Sequence, residues 1–131
     1  MEIAIDFDGT CVSHDYPRIG KDIGAIPVLK ELVAKGHKLI LFTMRSDGGV
    51  RKEGQEKVLT EAVNWFRDNE IPLYGIQYNP RQKDWTGSNK CYAQLYIDDA
   101  ALGCPLVHNV YDRPFVDWEA VRVLLTQQGI L

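Results

Sequence analysis

The sequence predicts an α/β domain built on a central, mostly parallel sheet. Three observations carry that prediction. Short apolar runs alternate with helix-period patterns along the chain. The runs at Ile3 to Ile5 and Leu39 to Phe42 are continuous rather than alternating, as expected of strands covered on both faces. Polar clusters also fall where the runs end: Asp6 and Asp8 after the first, Thr43 after the second, Asp98 and Asp99 after a later one. Ligands of open α/β sheets bind beyond the carboxyl ends of the strands, so the clusters point to one crevice.

The elements follow in order. Glu2 to Asp6 reads as the first strand, and Gly9 to Pro27 as a loop. Val28, Leu29, Leu32 and Val33 recur at helical spacing, and Gly36 suits a helix C-terminus. Lys38 to Thr43 is the second strand, and Arg45 to Lys52 a polar, glycine-containing loop. From Glu53 to Asn69 a helix is expected, with Val58, Ala62, Val63, Trp65 and Phe66 on one stripe. A third strand is expected at Pro72 to Ile76, a polar loop at Tyr78 to Lys90, and a further strand at Ala93 to Ile97. Pro105 to Val107 reads as a short edge strand. The closing helix spans Trp118 to Gln128, with Val121, Leu124 and Leu125 inward.

The totals narrow the class of function. A chain of 131 residues suits one domain, here 1–131, and can bury a real core. A net charge of -3 gives no electrostatic footprint for nucleic acid or anionic membranes. Cys11, Cys91 and Cys104 are an odd set at unrelated spacings, read as reduced thiols of a cytoplasmic protein rather than a disulfide frame or zinc site. No signal peptide and no membrane-spanning run is visible.

The opening stretch, MEIAIDFDGT, carries the first chemistry. In an extended chain Asp6 and Asp8 point to the same side. Two carboxylates about 4 Å apart repel by about 4 kcal/mol at an effective dielectric near 20. A hard divalent cation would offset that cost, with Gly9 allowing the main chain to turn tightly around it.

Taken together, IAIDFDGT, then LILFTMR, then Lys90 ahead of YIDD, resemble the haloacid dehalogenase superfamily of phosphatases, in its capless branch. The resemblance spans nearly the whole chain and keeps the family's order. It implies a three-layer Rossmann-like fold, its central sheet flanked by helices, and Mg2+-dependent phosphoryl transfer through an aspartyl-phosphate. Asp6 would be the nucleophile and a Mg2+ ligand. Asp8 would be the general acid and base, its carbonyl also reaching the metal. Thr43 would bind phosphoryl oxygens, Lys90 would steady Asp6 and the transferring group, and Asp98 and Asp99 would complete the metal site. Asp99 is favoured as the direct ligand, with Asp98 acting through water or by orientation. Lys83 is a rival for the lysine role.

The chemistry stands independently of the resemblance. Phosphate monoesters hydrolyse so slowly unaided that enzymes accelerate them by up to about 10²¹-fold, mostly by positioning and charge stabilisation. Main-chain N–H groups at Phe7, Asp8 and Gly9 can cradle phosphoryl oxygens. Met44 and Arg45, beside Thr43, are further substrate contacts, and Arg51 and Lys52 are charged alternatives in the same loop. His14 follows the catalytic strand and is a lesser substrate candidate, whereas His37 and His108 read as surface or satisfied histidines. Tyr16, Tyr78 and Trp85 lie in loops expected to rim the crevice. As bland readings, the aspartate pairs would be strand-end turns and the lysines solvated.

Neither the interval Thr10 to Val28 nor Met44 to Asn89 has room for a folded cap. An open site then implies a large phosphorylated substrate that acts as its own lid, or a homo-oligomer that closes over a small one. Nucleotides and sugar phosphates both fit. The alternatives to a hydrolase are a phosphotransferase and a phosphate-binding regulatory protein with little turnover.

Overall fold

The computed structural model describes residues 1–48, 53 and 57–131. Four parallel strands form the central sheet in the order β3-β2-β1-β4, where β1 is Glu2–Ile5, β2 Lys38–Leu41, β3 Gly75–Ile76 and β4 Leu95–Ile97. The register sets Ile3 beside Leu39 and Leu95, and Ile5 beside Leu41 and Ile97. By the period of two, Ile3, Ile5, Leu39, Leu41 and Ile97 share one face. That face packs into one core with α1 (Ala25–Ala34), α2 (Val58–Asp68) and α3 (Trp118–Gln127). The chain is thus α/β, with a parallel sheet flanked by helices. The opposite face carries Ala4, Ile40 and Tyr96, and the Tyr96 hydroxyl donates to the Cys91 carbonyl in the segment 77–94. Among the described residues no helix is long and apolar enough to cross a membrane.

The helices form for local reasons. α1 begins before the expected Val28, because Pro27 is tolerated in a first turn, where its missing N–H would have no partner. It ends on Gly36 at φ 92°, where Gly36 N donates to Val33 O and His37 N to Leu32 O. In α2, Val58, Ala62 and Phe66 bury a stripe at fourfold spacing. Its first N–H groups are capped by Asp47, which accepts from Leu59 N at 2.9 Å and Thr60 N at 3.3 Å. The loop after β2 is therefore tied to α2. The part of the expected helix at 54–56 lies outside the described residues. In α3, Asp117 is the N-cap and accepts from Ala120 N at 3.1 Å.

Two elements differ from expectation. β3 is shorter than Pro72 to Ile76, although Tyr74 N still donates to Leu39 O at 2.7 Å; Pro72 has no N–H to offer the ladder. The piece expected as an edge strand is instead β5 (Leu106–Val107), which pairs antiparallel with β6 (Phe115–Val116) in a separate hairpin. That hairpin is fastened to the loop after β1, because Val116 N donates to Gly9 O at 2.9 Å. Trp118, the first residue of α3, adds a second tie through its indole N–H to Thr10 O at 2.7 Å.

Candidate active site

The carboxyl ends of β1, β2 and β4 open into a cleft of about 570 Å³ lined by Asp6, Asp8, Thr43, Arg45, Asp98 and Asp99, with His14, Tyr16, Met44, Ala100 and Arg113 around them. Three strand ends predicted from separate parts of the chain thus meet in one place.

Asp6, Asp98 and Asp99 form the acidic centre, each offering an oxygen within 4.8 Å of the others. The buried Thr10 hydroxyl bridges two of them, at 3.0 Å from Asp6 Oδ2 and 3.2 Å from Asp99 Oδ1, and accepts from Asp99 N at 3.0 Å. One hydroxyl proton cannot serve both carboxylates at once. Burial, then the charge of Asp98 and a hydrogen bond shared with Asp99, push the Asp6 carboxyl up from 3.8 to about 8. The Phe7 main-chain N–H and the Thr10 hydroxyl pull it only partly back. A cluster that holds charge this reluctantly, built wholly of carboxylate oxygens, fits a hard divalent cation such as Mg2+. Asp98 and Asp99 both belong to it, so the sequence-level preference for Asp99 alone has no counterpart in the geometry.

Asp8 is treated differently, and here one expectation is corrected. Its carboxylate is not part of the acidic centre. Arg45 grips it with two parallel bonds, Nε to Oδ2 and Nη2 to Oδ1, both 2.8 Å. The remaining Arg45 donors reach Val58 O at 3.1 Å, Pro17 O at 3.3 Å and Arg18 O at 2.7 Å. All five N–H groups of the guanidinium are therefore engaged, and the side chain is only 1% exposed. Arg45 cannot be a substrate contact in this arrangement. It orients Asp8, and its positive charge offsets the repulsion between Asp8 and Asp6. The Phe7 and Tyr16 rings stack near the guanidinium at 5.0 and 5.2 Å.

The other expected contacts divide. Thr43 lines the cleft; its Oγ accepts from Arg45 N at 3.1 Å, which leaves the O–H to donate. Met44 is almost fully exposed at the lip. Phe7 has its side chain in the core against Trp65 and Phe66. The Gly9 N–H is not a phosphoryl donor, because it bonds Val12 O at 2.7 Å. Gly9 is needed for space: at φ 80°, a Cβ there would lie 2.0 Å from His14 Nε2 and 2.7 Å from Asp99 Oδ2. Lys90 is not brought into the cleft. Its ammonium stands over the Tyr96 ring at 5.7 Å, beside the opposite face of the sheet. Lys83 lines a separate pocket with Tyr78, and Trp85 packs edge-on against Tyr92. Of the three rim aromatics only Tyr16 reaches the cleft. Arg51 and Lys52 lie outside the described residues.

Four contributors were missed or underrated. Thr10 was legible in the DGT turn as a hydroxyl beside two acids. His14 pairs with Asp99 at 2.9 Å and holds it in place. Gln77 clamps the loop after β2, accepting from Thr43 N at 2.9 Å and donating to Thr43 O and Arg45 O at 2.8 Å. Arg113 comes from the unexpected hairpin, and nothing in the sequence marks either of the last two.

No family model and no curated protein matches the chain. Among solved structures, it superposes on the conserved protein coded by a locus of Bacteroides thetaiotaomicron with a TM-score of 0.74 and 32% identity, over 98% of this chain and 91% of that one.

Proposed function

The chain belongs to the family of that conserved Bacteroides thetaiotaomicron protein, and we propose that it is a capless, Mg2+-dependent phosphomonoester hydrolase of the haloacid dehalogenase type, working through an aspartyl-phosphate. The observation that carries the proposal is the Asp6, Asp98 and Asp99 centre at the carboxyl ends of two adjacent parallel strands, next to an independently neutralised Asp8. The order of IAIDFDGT, LILFTMR and YIDD supports it.

Asp6, Asp98 and Asp99 would hold the ion, and Asp8 would reach it only by its carbonyl. Bound there, Mg2+ supplies the positive charge that lets an anionic carboxylate approach a phosphate dianion. An Asp6 oxygen attacks phosphorus, the P–O bond to the leaving group breaks, and the leaving oxygen takes the proton that Asp8 carries in its acid form. Asp8 then accepts a proton from the water that attacks the acyl phosphate, releasing inorganic phosphate and restoring Asp6. Arg45 keeps the Asp8 carboxylate aimed while leaving lone pairs on both oxygens to accept that proton. The Thr43 O–H donates to the phosphoryl group. His14 and Thr10 hold Asp99 and Asp6 in register.

One observation favours a second reading, a phosphate-binding protein with little turnover. The bidentate grip of Arg45 on Asp8 opposes the protonated carboxyl that leaving-group protonation asks of it. The deciding experiment is phosphate release from nucleotides, sugar phosphates, phospholipid head groups and phosphopeptides, with and without Mg2+, by wild type and Asp6→Asn. Mg2+-dependent release lost in the variant supports the hydrolase. Release by Asp6→Asn at the wild-type rate rules out the mechanism, and binding without release favours the second reading.

A further inference from the structure

We propose that Arg113, carried on the connection of the β5–β6 hairpin, is the cation that grips the phosphoryl group in this cleft. The inference rests on the phosphoryl reading of the site and deepens it. A dianionic group entering a cleft lined by four aspartates needs positive charge from the protein as well as from a metal. Among the described residues, the other basic side chains nearby are engaged elsewhere. Arg45 has all five donors occupied. His14 is paired with Asp99, Arg18 with Asp15, and Lys21 lies over the Tyr111 ring. Lys90 stands over Tyr96, outside the cleft. Arg113 lines the cleft, and among the described residues no carboxylate or carbonyl partners its guanidinium.

Its placement is built into the fold. The strand after it, β6, is bonded through Val116 N to Gly9 O, in the turn that carries Asp6 and Asp8. Tyr111 and Phe115 stack at 5.5 Å across the same connection. The arginine is thus presented to the acids by a hairpin fixed to their own loop, with its planar fork free for two oxygens of one phosphoryl group.

The test uses inorganic phosphate as the binding probe, by calorimetry with Mg2+ present, and p-nitrophenyl phosphate as the turnover probe. The proteins are wild type, Arg113→Ala, Arg113→Lys, Lys90→Ala and the double variant Arg51→Ala/Lys52→Ala. Arg113→Ala should weaken phosphate binding and raise KM by about 10- to 100-fold. Arg113→Lys should recover part of the loss, and Lys90→Ala should match wild type. Mg2+ affinity measured without phosphate should not fall in Arg113→Ala, which separates a lost grip from a disturbed cleft. Turnover by wild type that Arg113→Ala retains in full overturns the proposal and leaves the hydrolase reading standing. Arg113-dependent phosphate binding with no turnover by any protein does the reverse. A loss that follows Lys90 or the Arg51/Lys52 pair instead overturns the assignment, as does wild type that binds phosphate no better than Arg113→Ala.

Discussion

Asp6 and Asp8 are two residues apart on one loop, yet the fold handles their charges in opposite ways. Asp8 meets a buried guanidinium whose remaining donors are already taken by the carbonyls of Pro17, Arg18 and Val58. Asp6 meets Asp98 and Asp99, and its carboxyl is pushed up to about 8. One half of the cleft is neutralised as folded, while the other gathers three carboxylates that the proposed Mg2+ would neutralise. The comparison is sharpest for Asp6→Asn. That variant should lose at least about 10³-fold in turnover, as expected when a nucleophile is removed. In EDTA near neutral pH it should nonetheless melt higher than wild type, because the cost of folding Asp6 into a place that forces a proton onto it is gone. A lower melting temperature in EDTA would show that the acids are not in conflict.

The complementary variant acts on the assembled half. Arg45→Ala strands the Asp8 carboxylate and removes donors from the carbonyls of Pro17, Arg18 and Val58. Removing one partner of a buried ion pair costs about 3–5 kcal/mol, and urea unfolding should show a loss in that range. Mg2+ should not repair it, since the Asp8 carboxylate lies outside the candidate metal centre. A loss below about 1 kcal/mol would mean that Asp8 is solvated well enough to need no partner.

The same contrast predicts a pH dependence. Between 3.8 and about 8 the folded chain keeps a proton on Asp6 that the unfolded chain has released. The folded state then binds more protons, so the contribution of Asp6 to stability falls as pH rises through this window. The melting temperature of EDTA-treated protein should decline from the lower to the upper end. Mg2+ should restore it most at the upper end, where the carboxylates are ready to ligate. Asp6→Asn should lack this component, and a decline that persists undiminished in the variant would locate the effect elsewhere.

How much of this was legible follows from what each feature depends on. The α/β class and the strand-end acids were readable, because continuous apolar runs and paired aspartates are local patterns. The meeting of Asp6, Asp98 and Asp99 follows from strand parallelism, which the alternation of elements implies. The Arg45 grip was not readable. Arg45 looked like a loop cation beside Thr43, and only the fold brings Asp8, Pro17, Arg18 and Val58 around its fork. Lys90 failed for the converse reason. Its distance along the chain from Asp98 suited the family pattern, but the side chain lies against Tyr96, which the strand period turns away from the helices. The hairpin was missed because β6 is two residues long and follows a proline.

The smallest expected effect is at Gln77, where the assembled half is held from β3. Gln77 sits at φ 69° and uses its amide to hold Thr43 and Arg45 by their main chain. Gln77→Ala should cost about 1–2 kcal/mol, since three hydrogen-bonding groups lose their partner but lie close enough to solvent to find water. The left-handed backbone separates the clamp from the strain. Alanine keeps a Cβ in a conformation that disfavours it by roughly 1–2 kcal/mol, whereas glycine does not. Gln77→Gly should therefore be the more stable of the two, although both have lost the same amide. Both should show the same fall in turnover, because the Thr43 donor and the Arg45–Asp8 pair lose the same support. If the two variants are equally stable, backbone strain at Gln77 is negligible. If Gln77→Gly keeps full activity, the loop after β2 positions Thr43 without the clamp.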